Sequence, residues 1–410
     1  MTKNIGLRGV TVADTRISFI DGNQGILLYR GYSIQDLAEN TSFEEVVFLL
    51  LMGRLPTAEE TTATIKTLQK YRSLPPEAIN YLKARKPEAK PMDVIQGAIT
   101  VLADDDEGKD SDVRADVVTS ALRLISRTGM ILAAWHHIRQ GHMPPKVDKT
   151  LTHAGAMLQQ LWDRTPSPKE VKLMDTLLLL HAEHTFNAST FAAREVASTQ
   201  AHMYAAVSAG VGALSGALHG SANARVMDML EEIGDIDNVE TWVRNRIESG
   251  QRVMGLGHAV YKIVDPRAII LADVARKVLS GTPEEQWFRL ASKVDEVGRA
   301  ALKEMRDLEL YPNVDFFSGP ILRAIGLPTD MFPGFFAAAR VSGWTAHIIE
   351  ERFAEAQPKP ALYRPAANYV GRKCGPMGCK FIPMEQRGAG CPHGKDFPGC
   401  NEKQAFEDME

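Results

Sequence analysis

The sequence predicts a mostly α-helical fold with a small β element at its start. Three observations carry this. Apolar residues recur at three- and four-residue steps through most of the chain after Tyr32. Glycine and proline clusters separate the periodic stretches. Short alternating runs are confined to residues 16–31, where Ile17 and Phe19, then Ile26 and Leu28, flank the turn signal Asp21-Gly22.

The helical signals follow in order. Ser42-Phe43-Glu44-Glu45 reads as a capping box before an apolar run, with Gly53 as a stop. Thr57-Ala58-Glu59-Glu60 repeats the start signal. Further helices are expected over residues 91–104, 116–139, 170–184, 203–220, 223–234, 239–250, 266–279, 284–308 and 335–356. The stretch 203–220 is rich in Ala, Gly and Ser, which allow close helix contact and point to burial. No repeat of fixed period is present.

At 410 residues the chain exceeds one small core, so two or more domains are expected. The net charge of −4 is no polyelectrolyte signature, and neither nucleic acid nor a membrane surface is indicated as a partner. No apolar run approaches the roughly 20 residues of a bilayer span; residues 173–184 come nearest. The opening "MTKNIGLRGV" lacks a signal-peptide core, and a cytoplasmic protein is expected.

All four cysteines, Cys374, Cys379, Cys391 and Cys400, lie in a Gly- and Pro-rich tail, with spacing C-x4-C-x11-C-x8-C and His393 close to Cys391. The tail is either a metal-organised knot or a flexible appendage. Residues 1–373 hold no cysteine, so the body has no thiol nucleophile, disulfide or thiolate metal site.

Four stretches place polar groups beside glycine, proline or a helix end. In "GALHGSAN" (216–223), a helix starting near Ser221 would set its N-terminus beside His219 and favour the neutral ring; a capping histidine at a helix–turn–helix joint is the plainer alternative. In "VMGLGHAVYKIVDPRA" (253–268), glycines leave His258 accessible, and Pro266 holds Arg267, a residue suited to a carboxylate. Asp265-Pro266 equally reads as a helix start. In "YPNVDFFSGP" (311–320), Asp315 sits among Val314, Phe316 and Phe317, surroundings that raise a carboxyl pKa and make a better base; a helix cap is the plainer alternative. Arg340 lies on an otherwise apolar helix face and needs an anionic partner, internal or bound; Arg364 precedes a proline near the end of the body.

In "HAEHTFNAST", His181 and His184 share a helix face, but no H-E-x-x-H or carboxylate completes a familiar metal set. No phosphate-binding G-x-x-x-x-G-K-[ST] loop and no G-x-S-x-G elbow occurs. Two histidines, one carboxylate and several arginines suit proton abstraction beside a carbonyl on an anionic substrate.

The ordered set "YRGYSIQDLA", "HAEHTFNAST", "GALHGSAN", "GLGHAVYKIVDPRA", "YPNVDFFSG", "ARVSGWTAHIIEE" and "YRPAANYVG" resembles the citrate synthase family over about residues 5–371. The resemblance implies a mostly helical homodimer or higher oligomer. Residues 1–220 and 330–371 would form a large domain, residues 221–329 a smaller one closing over the site, and residues 372–410 a tail outside the pattern. It implies that Asp315 takes a proton from acetyl-CoA, His219 stabilises the enol or enolate, and His258 binds and protonates the oxaloacetate carbonyl. His184, Arg267 and Arg340 would hold oxaloacetate carboxylates, with Arg364 supplied by the other subunit. Leu256, Gly257 and Lys262 would help bind coenzyme A, which enters as a thioester substrate; no tightly bound cofactor and no metal is implied in the body.

The chain departs from the family pattern G-P-L-H-G-G-A-N at Ala217 and Ser221, and has "DLEL" where relatives often carry a basic residue before "YPNVD". The same fold would serve a 2-methylcitrate synthase using propionyl-CoA, since one methylene gives only about 1–3 kcal/mol of discrimination. A non-catalytic assembly protein, with the cysteine tail as its working part, is the reading from another class.

Overall fold

The protein is described from a computed structural model, which covers residues 6, 7, 9–371, 381, 383 and 384. The four cysteines, with the metal site considered for them, lie outside the described residues. Backbone contacts separate a unit Met1–Tyr363 from a unit Arg364–Glu410.

The first unit opens with three antiparallel strands in sequence order: β1 (Ser18–Asp21), β2 (Ile26–Tyr29) and β3 (Tyr32–Ser33). Ser18 pairs with Tyr29 and Asp21 with Ile26, so Ile17, Leu27 and Tyr29 are buried while Phe19 faces out. The third strand is too short to leave an alternating signal.

Sixteen α-helices follow among the described residues: α1 (Ile34–Asn40), α2 (Phe43–Met52), α3 (Ala58–Tyr71), α4 (Pro76–Ala84), α5 (Pro91–Val101), α6 (Arg114–Ile138), α7 (His153–Trp162), α8 (Pro168–His181), α9 (Ala188–Ser198), α10 (Met203–Leu214), α11 (Ala222–Ile233), α12 (Val239–Glu248), α13 (Pro266–Leu279), α14 (Glu285–Arg306), α15 (Val314–Ala324) and α16 (Phe332–Arg352). Local chemistry sets many starts. Ser42 with Glu45, Thr57 with Glu60, and Ser167 with Glu170 form reciprocal capping boxes. Proline occupies the first turn of α4, α5, α8, α13 and α16. Gly53 ends α2 at φ 81°.

Several boundaries differ from expectation. The helix expected over 203–220 stops at Leu214, because Ser215 to Gly220 turn back towards α11. Residues 314–324 form a helix despite Pro320, and α1, α4, α7 and α9 are helices that periodicity did not single out. They are short or mostly buried, so their polar and apolar residues do not separate cleanly into faces. The helix nearest to a bilayer span is α6 rather than residues 173–184, and most of its apolar window is buried inside the protein.

The core forms around α16, buried along its whole length. Helices α2, α5, α6, α8, α9 and α10 pack against it. Burial on every side leaves α16 without the polar solvent face of a surface helix. Helices α11 to α15 pack largely on one another, joining the rest mainly through α13 against α1 and α8 and through α11 against α16.

A buried polar knot ties α9, α16 and the β element together. Arg194 pairs with Glu350 (2.7 Å) and Glu351 (2.6 Å). His347 Nε2 lies 3.0 Å from Glu183 Oε1, which also accepts from Ser18 Oγ at 2.9 Å. Tyr29 donates its hydroxyl to Glu183 O at 2.8 Å. Segment 182–184 presses against Gly343 of α16, where a Cβ would overlap Glu183 Oε2 and Ala182 O. Gly343→Ala is therefore expected to destabilise the protein by about 1–3 kcal/mol, since backbone must shift to admit the methyl; an unchanged denaturation midpoint would contradict this packing.

Candidate active site

Two loops are zipped together by backbone bonds. Gly257 N–H donates to Tyr311 O (2.8 Å) and Asn313 N–H to Gly255 O (3.0 Å); Asn313 Nδ2 donates to Gly257 O (2.9 Å). Gly255 (φ 79°) and Gly257 (φ 95°) adopt backbone that other residues resist. The zipper aligns the residue after Gly257, His258, with the start of α15, where Asp315 lies. The opposite side of the His258 loop rests on the β1–β2 turn, with Lys262 N–H donating to Gly22 O at 2.8 Å.

His258 Nδ1 accepts from the backbone N–H groups of Val260 (2.9 Å) and Tyr261 (3.1 Å). That pattern assigns the ring proton to Nε2. Burial, then Arg267, lowers its pKa to about 4, against an opposing pull from Asp265. The ring is neutral at pH 7 with one N–H left to donate.

Asp265 organises the next group. It caps α13 by accepting from Arg267 N–H (3.0 Å) and grips the Arg267 side chain through Nε (3.0 Å) and Nη2 (2.7 Å). Its Oδ2 also accepts from Val314 N–H at 3.3 Å, joining the starts of α13 and α15. Burial penalises both charges, yet each holds the other ionised: Arg267 is raised and Asp265 lowered. The side edge of Arg267 is thus committed to Asp265, and its Nη1–Nη2 end is the part left for another anion.

Arg340, on α16, is buried and forms no ion pair within 4.0 Å among the described residues. Its Nε donates to His181 O (2.7 Å), and the guanidinium lies 4.7 Å from the Phe336 ring centre. Burial lowers its pKa to about 10, with Glu183 the first group opposing, so it remains charged at neutral pH. A buried cation without a contacting carboxylate is costly and predisposed to bind an anion.

His184 completes this wall. Its Nε2 lies 3.3 Å from Tyr261 Oη, and its ring stands edge-on to His258 at 5.4 Å. Burial, Arg267, His258 and Arg340 all hold it well below the ordinary histidine pKa. Thr185 beside it has φ 50°, a strained value for a β-branched residue, and the strain sits at the site. His181 points elsewhere: its Nδ1 donates to Leu177 O (2.8 Å) and its ring packs against Phe335 and Phe336. No cluster that could hold a metal occurs among the described residues.

α11 starts at Ala222, as expected just after His219, and the His219 ring also meets the N-terminus of α9. Ser189 N–H donates to its Nε2 (3.2 Å), and Ser189 Oγ lies 2.8 Å from the same atom. Trp344 Nε1 in turn donates to that Oγ at 3.2 Å. An accepting Nε2 assigns the ring proton to Nδ1. Burial, then Arg340, lowers the pKa to about 4.

Asp315 stands in the first turn of α15, capped by Asn313, whose Oδ1 accepts Asp315 N–H at 3.0 Å. Burial raises its pKa to about 6; Arg267, Arg340 and Arg225 pull the other way, and Asp265 adds to the rise. The helix-cap reading of Asp315 is not met: Asn313 is the cap, and the Asp315 carboxyl is free of that duty.

The structure brings His184, His258, Arg267, Arg340 and Asp315 into one electrostatic neighbourhood, which Arg340 extends to His219. Lys262 has an exposed side chain, Leu256 is half-buried, and both backbone groups of Gly257 are used internally. Arg364 lies in the second unit and is exposed. Sequence reasoning did not single out Ser189, Tyr261, Glu183 or Arg225, and took Asp265 only as a helix start. Asn187, a plain helix N-cap in "HTFNAST", was the signal available for Ser189.

The family model described as citrate synthase, C-terminal domain, matches residues 6–366. The citrate synthase of Synechocystis sp. is 37% identical over 382 residues, 93% of each chain. Citrate synthase 2 of Bacillus subtilis is 36% identical, covering 94% of this chain and 100% of that protein. Among solved structures, the citrate synthase of Pyrobaculum aerophilum matches with a TM-score of 0.85 at 34% identity, over 93% of this chain and 95% of that one. The Thermoplasma acidophilum enzyme, solved as a ternary complex with carboxymethyl coenzyme A and oxaloacetate, matches with a TM-score of 0.82 at 33% identity, over 92% and 98%.

Both ring assignments are testable by nitrogen-detected NMR on histidine-labelled protein. His258 is expected as the Nε2–H form and His219 as the Nδ1–H form, both neutral from pH 8 down to about pH 5. Protonation of either ring near pH 6.5 would contradict the burial and cation arguments.

Proposed function

This chain belongs to the citrate synthase family, and from that premise we propose that it condenses acetyl-CoA, oxaloacetate and water into citrate and CoA. The supporting observation is a pair of neutral histidines, each held by backbone N–H donors in one proton-bearing form, that share the influence of Arg267 and Arg340 with Asp315, a carboxyl of raised pKa. As a member of the family, the protein is an acyltransferase of the citrate synthase type.

Each group has a role that its surroundings favour. Asp315, at about 6, is ionised at neutral pH yet a stronger base than an ordinary carboxylate, and it takes the methyl proton of the thioester. The Nδ1–H of His219 donates to the thioester oxygen as enol or enolate character develops. The new carbon–carbon bond forms at the keto carbon of oxaloacetate, while Nε2–H of His258 polarises and then protonates the keto oxygen. Water then cleaves the thioester.

Arg340 and the free end of Arg267 hold the two carboxylates with His184, and Arg364 of a second copy completes the clamp in a homodimer or larger assembly. Coenzyme A lies along Leu256, Gly257 and Lys262. Residues 221–329, which include α11 to α15, close over residues 1–220 and 330–371 and exclude water from the reactive thioester. No tightly bound cofactor is required, and the enzyme works in the cytoplasm.

Thiol release measured in parallel with acetyl-CoA and propionyl-CoA tests the proposal. A higher kcat/KM for acetyl-CoA is expected; a clear propionyl preference would make the protein a 2-methylcitrate synthase, and no release with either would remove the catalytic reading. kcat should fall as pH drops through about 6, where Asp315 becomes protonated and cannot accept the methyl proton. Asp315→Asn should abolish that limb and lower kcat on the order of 10³-fold; near-normal turnover would refute the assignment. Arg340→Gln should raise the oxaloacetate KM by roughly tenfold or more, as loss of a charge-assisted contact costs about 1.5–3 kcal/mol; an unchanged KM would place the carboxylate elsewhere.

A further inference from the structure

The tip of the turn that carries His219, Gly216 to Leu218, is lightly held, although Gly220 behind it packs closely against Leu214. α10 ends at Leu214 and α11 begins at Ala222. The backbone bonds here are Ser215 N–H to Val211 O (3.0 Å), Gly216 N–H to Ala213 O (3.4 Å), His219 N–H to Gly216 O (2.9 Å) and, into α11, Arg225 N–H to Ser221 O (3.1 Å). Leu218 is fully exposed and contributes nothing to the core. Ala217 N–H donates to no backbone carbonyl among the described residues, and Ala217 lies outside the positive-φ region. Yet His219 Nε2 is held within 3.2 Å of Ser189 N–H, so the turn is placed accurately.

One side chain reaches back across it. Arg225, in the first turn of α11, donates from Nη2 to Ala217 O at 2.8 Å and from Nε to Ser221 O at 3.4 Å. These carbonyls stand on either side of His219 in sequence. Ser221 O already accepts the Arg225 backbone N–H at 3.1 Å, so the planar, rigid guanidinium ties Ala217 O to a carbonyl fixed at the start of α11. Arg225 is exposed, so the strut lies on the surface rather than in the core.

We propose that Arg225 is a positioning residue that braces the 216–221 turn from outside and so fixes the direction of the His219 ring. Proline at 217 would limit φ through its own ring; alanine leaves that freedom, and a side-chain strut restrains it instead. A brace matters because a catalytic donor displaced by an ångström loses much of its effect. The inference rests on the reading of His219 as the group that stabilises the enol or enolate.

The test compares full-length wild type, Arg225→Gln, Ala217→Pro and the double variant by CoA-release kinetics and amide hydrogen exchange. Arg225→Gln is expected to lower kcat about tenfold, leave the oxaloacetate KM within about twofold, and speed exchange of the His219 amide. Adding Ala217→Pro should restore most of both losses, since it restrains the same turn by another route. A kcat for Arg225→Gln within about twofold of wild type would overturn the proposal. So would a rise in acyl-CoA KM alone, which would mark Arg225 as a ligand contact, or a double variant that folds without recovery. If the wild type itself releases no CoA, the catalytic reading fails, and His219 amide exchange alone decides whether the brace exists: faster exchange in Arg225→Gln supports it and unchanged exchange removes it.

Discussion

The site depends on one buried carboxylate, Asp265. It starts α13, grips the Arg267 guanidinium along one edge and accepts a backbone N–H from the start of α15. Without a partner, the buried Arg267 guanidinium would carry the full cost of its desolvation. Pairing with Asp265 keeps Arg267 charged and rigid while leaving its end free. The same carboxylate carries the register of α13 to α15, so the anion clamp and the base are placed by one group. Were Asp265 apolar, Arg267 would lose its partner and Val314 N–H its acceptor, and the two helix starts would drift independently.

Around that anchor the electrostatics pull neighbouring groups in opposite directions. Burial alone would neutralise histidines and carboxylates alike. Arg267 and Arg340 add to the effect on His184 and, one or the other, to that on His258 and His219, keeping the rings uncharged. They oppose it at Asp315, which stops near 6 and remains ionised at neutral pH. The same cations therefore give neutral hydrogen-bond donors and a charged base in one space. Acid–base chemistry at neutral pH needs such separation of pKa values.

Much of this was legible in the sequence, for local reasons. Capping boxes, proline at helix starts and Gly53 at a stop are short-range signals, and the helix at 266–279 follows from Asp265-Pro266 alone. Site residues stood out where they broke a pattern, as His258 does between glycines and Arg340 does on an apolar helix. What was not legible depends on contacts distant in sequence. Ser189 meets His219 across 30 residues, and Trp344 supports that serine from 155 residues away. The helix start near Ser221 was legible beside His219, but nothing there announces the second helix end, that of α9, which its Nε2 meets. Asp265 misled differently: it is a helix cap, and its second and third partners appear only once α15 is packed beside it.

The N-terminal β element shows how a peripheral feature comes to bear on the chemistry. Ser18 donates to Glu183, Tyr29 donates to the carbonyl of the same residue, and Gly22 O accepts from Lys262. The sheet therefore touches the segment that ends in His184 on one side and the His258 loop on the other. A loop around Gly255 and Gly257 has little stiffness of its own, and Thr185 keeps a backbone angle that a free chain would abandon. Both conformations need support from outside the loops, and three short strands give it at once to both. A glycine at position 22 is what allows the closest approach, since a Cβ there would overlap Val260 O. The strands thus belong to the architecture of the site.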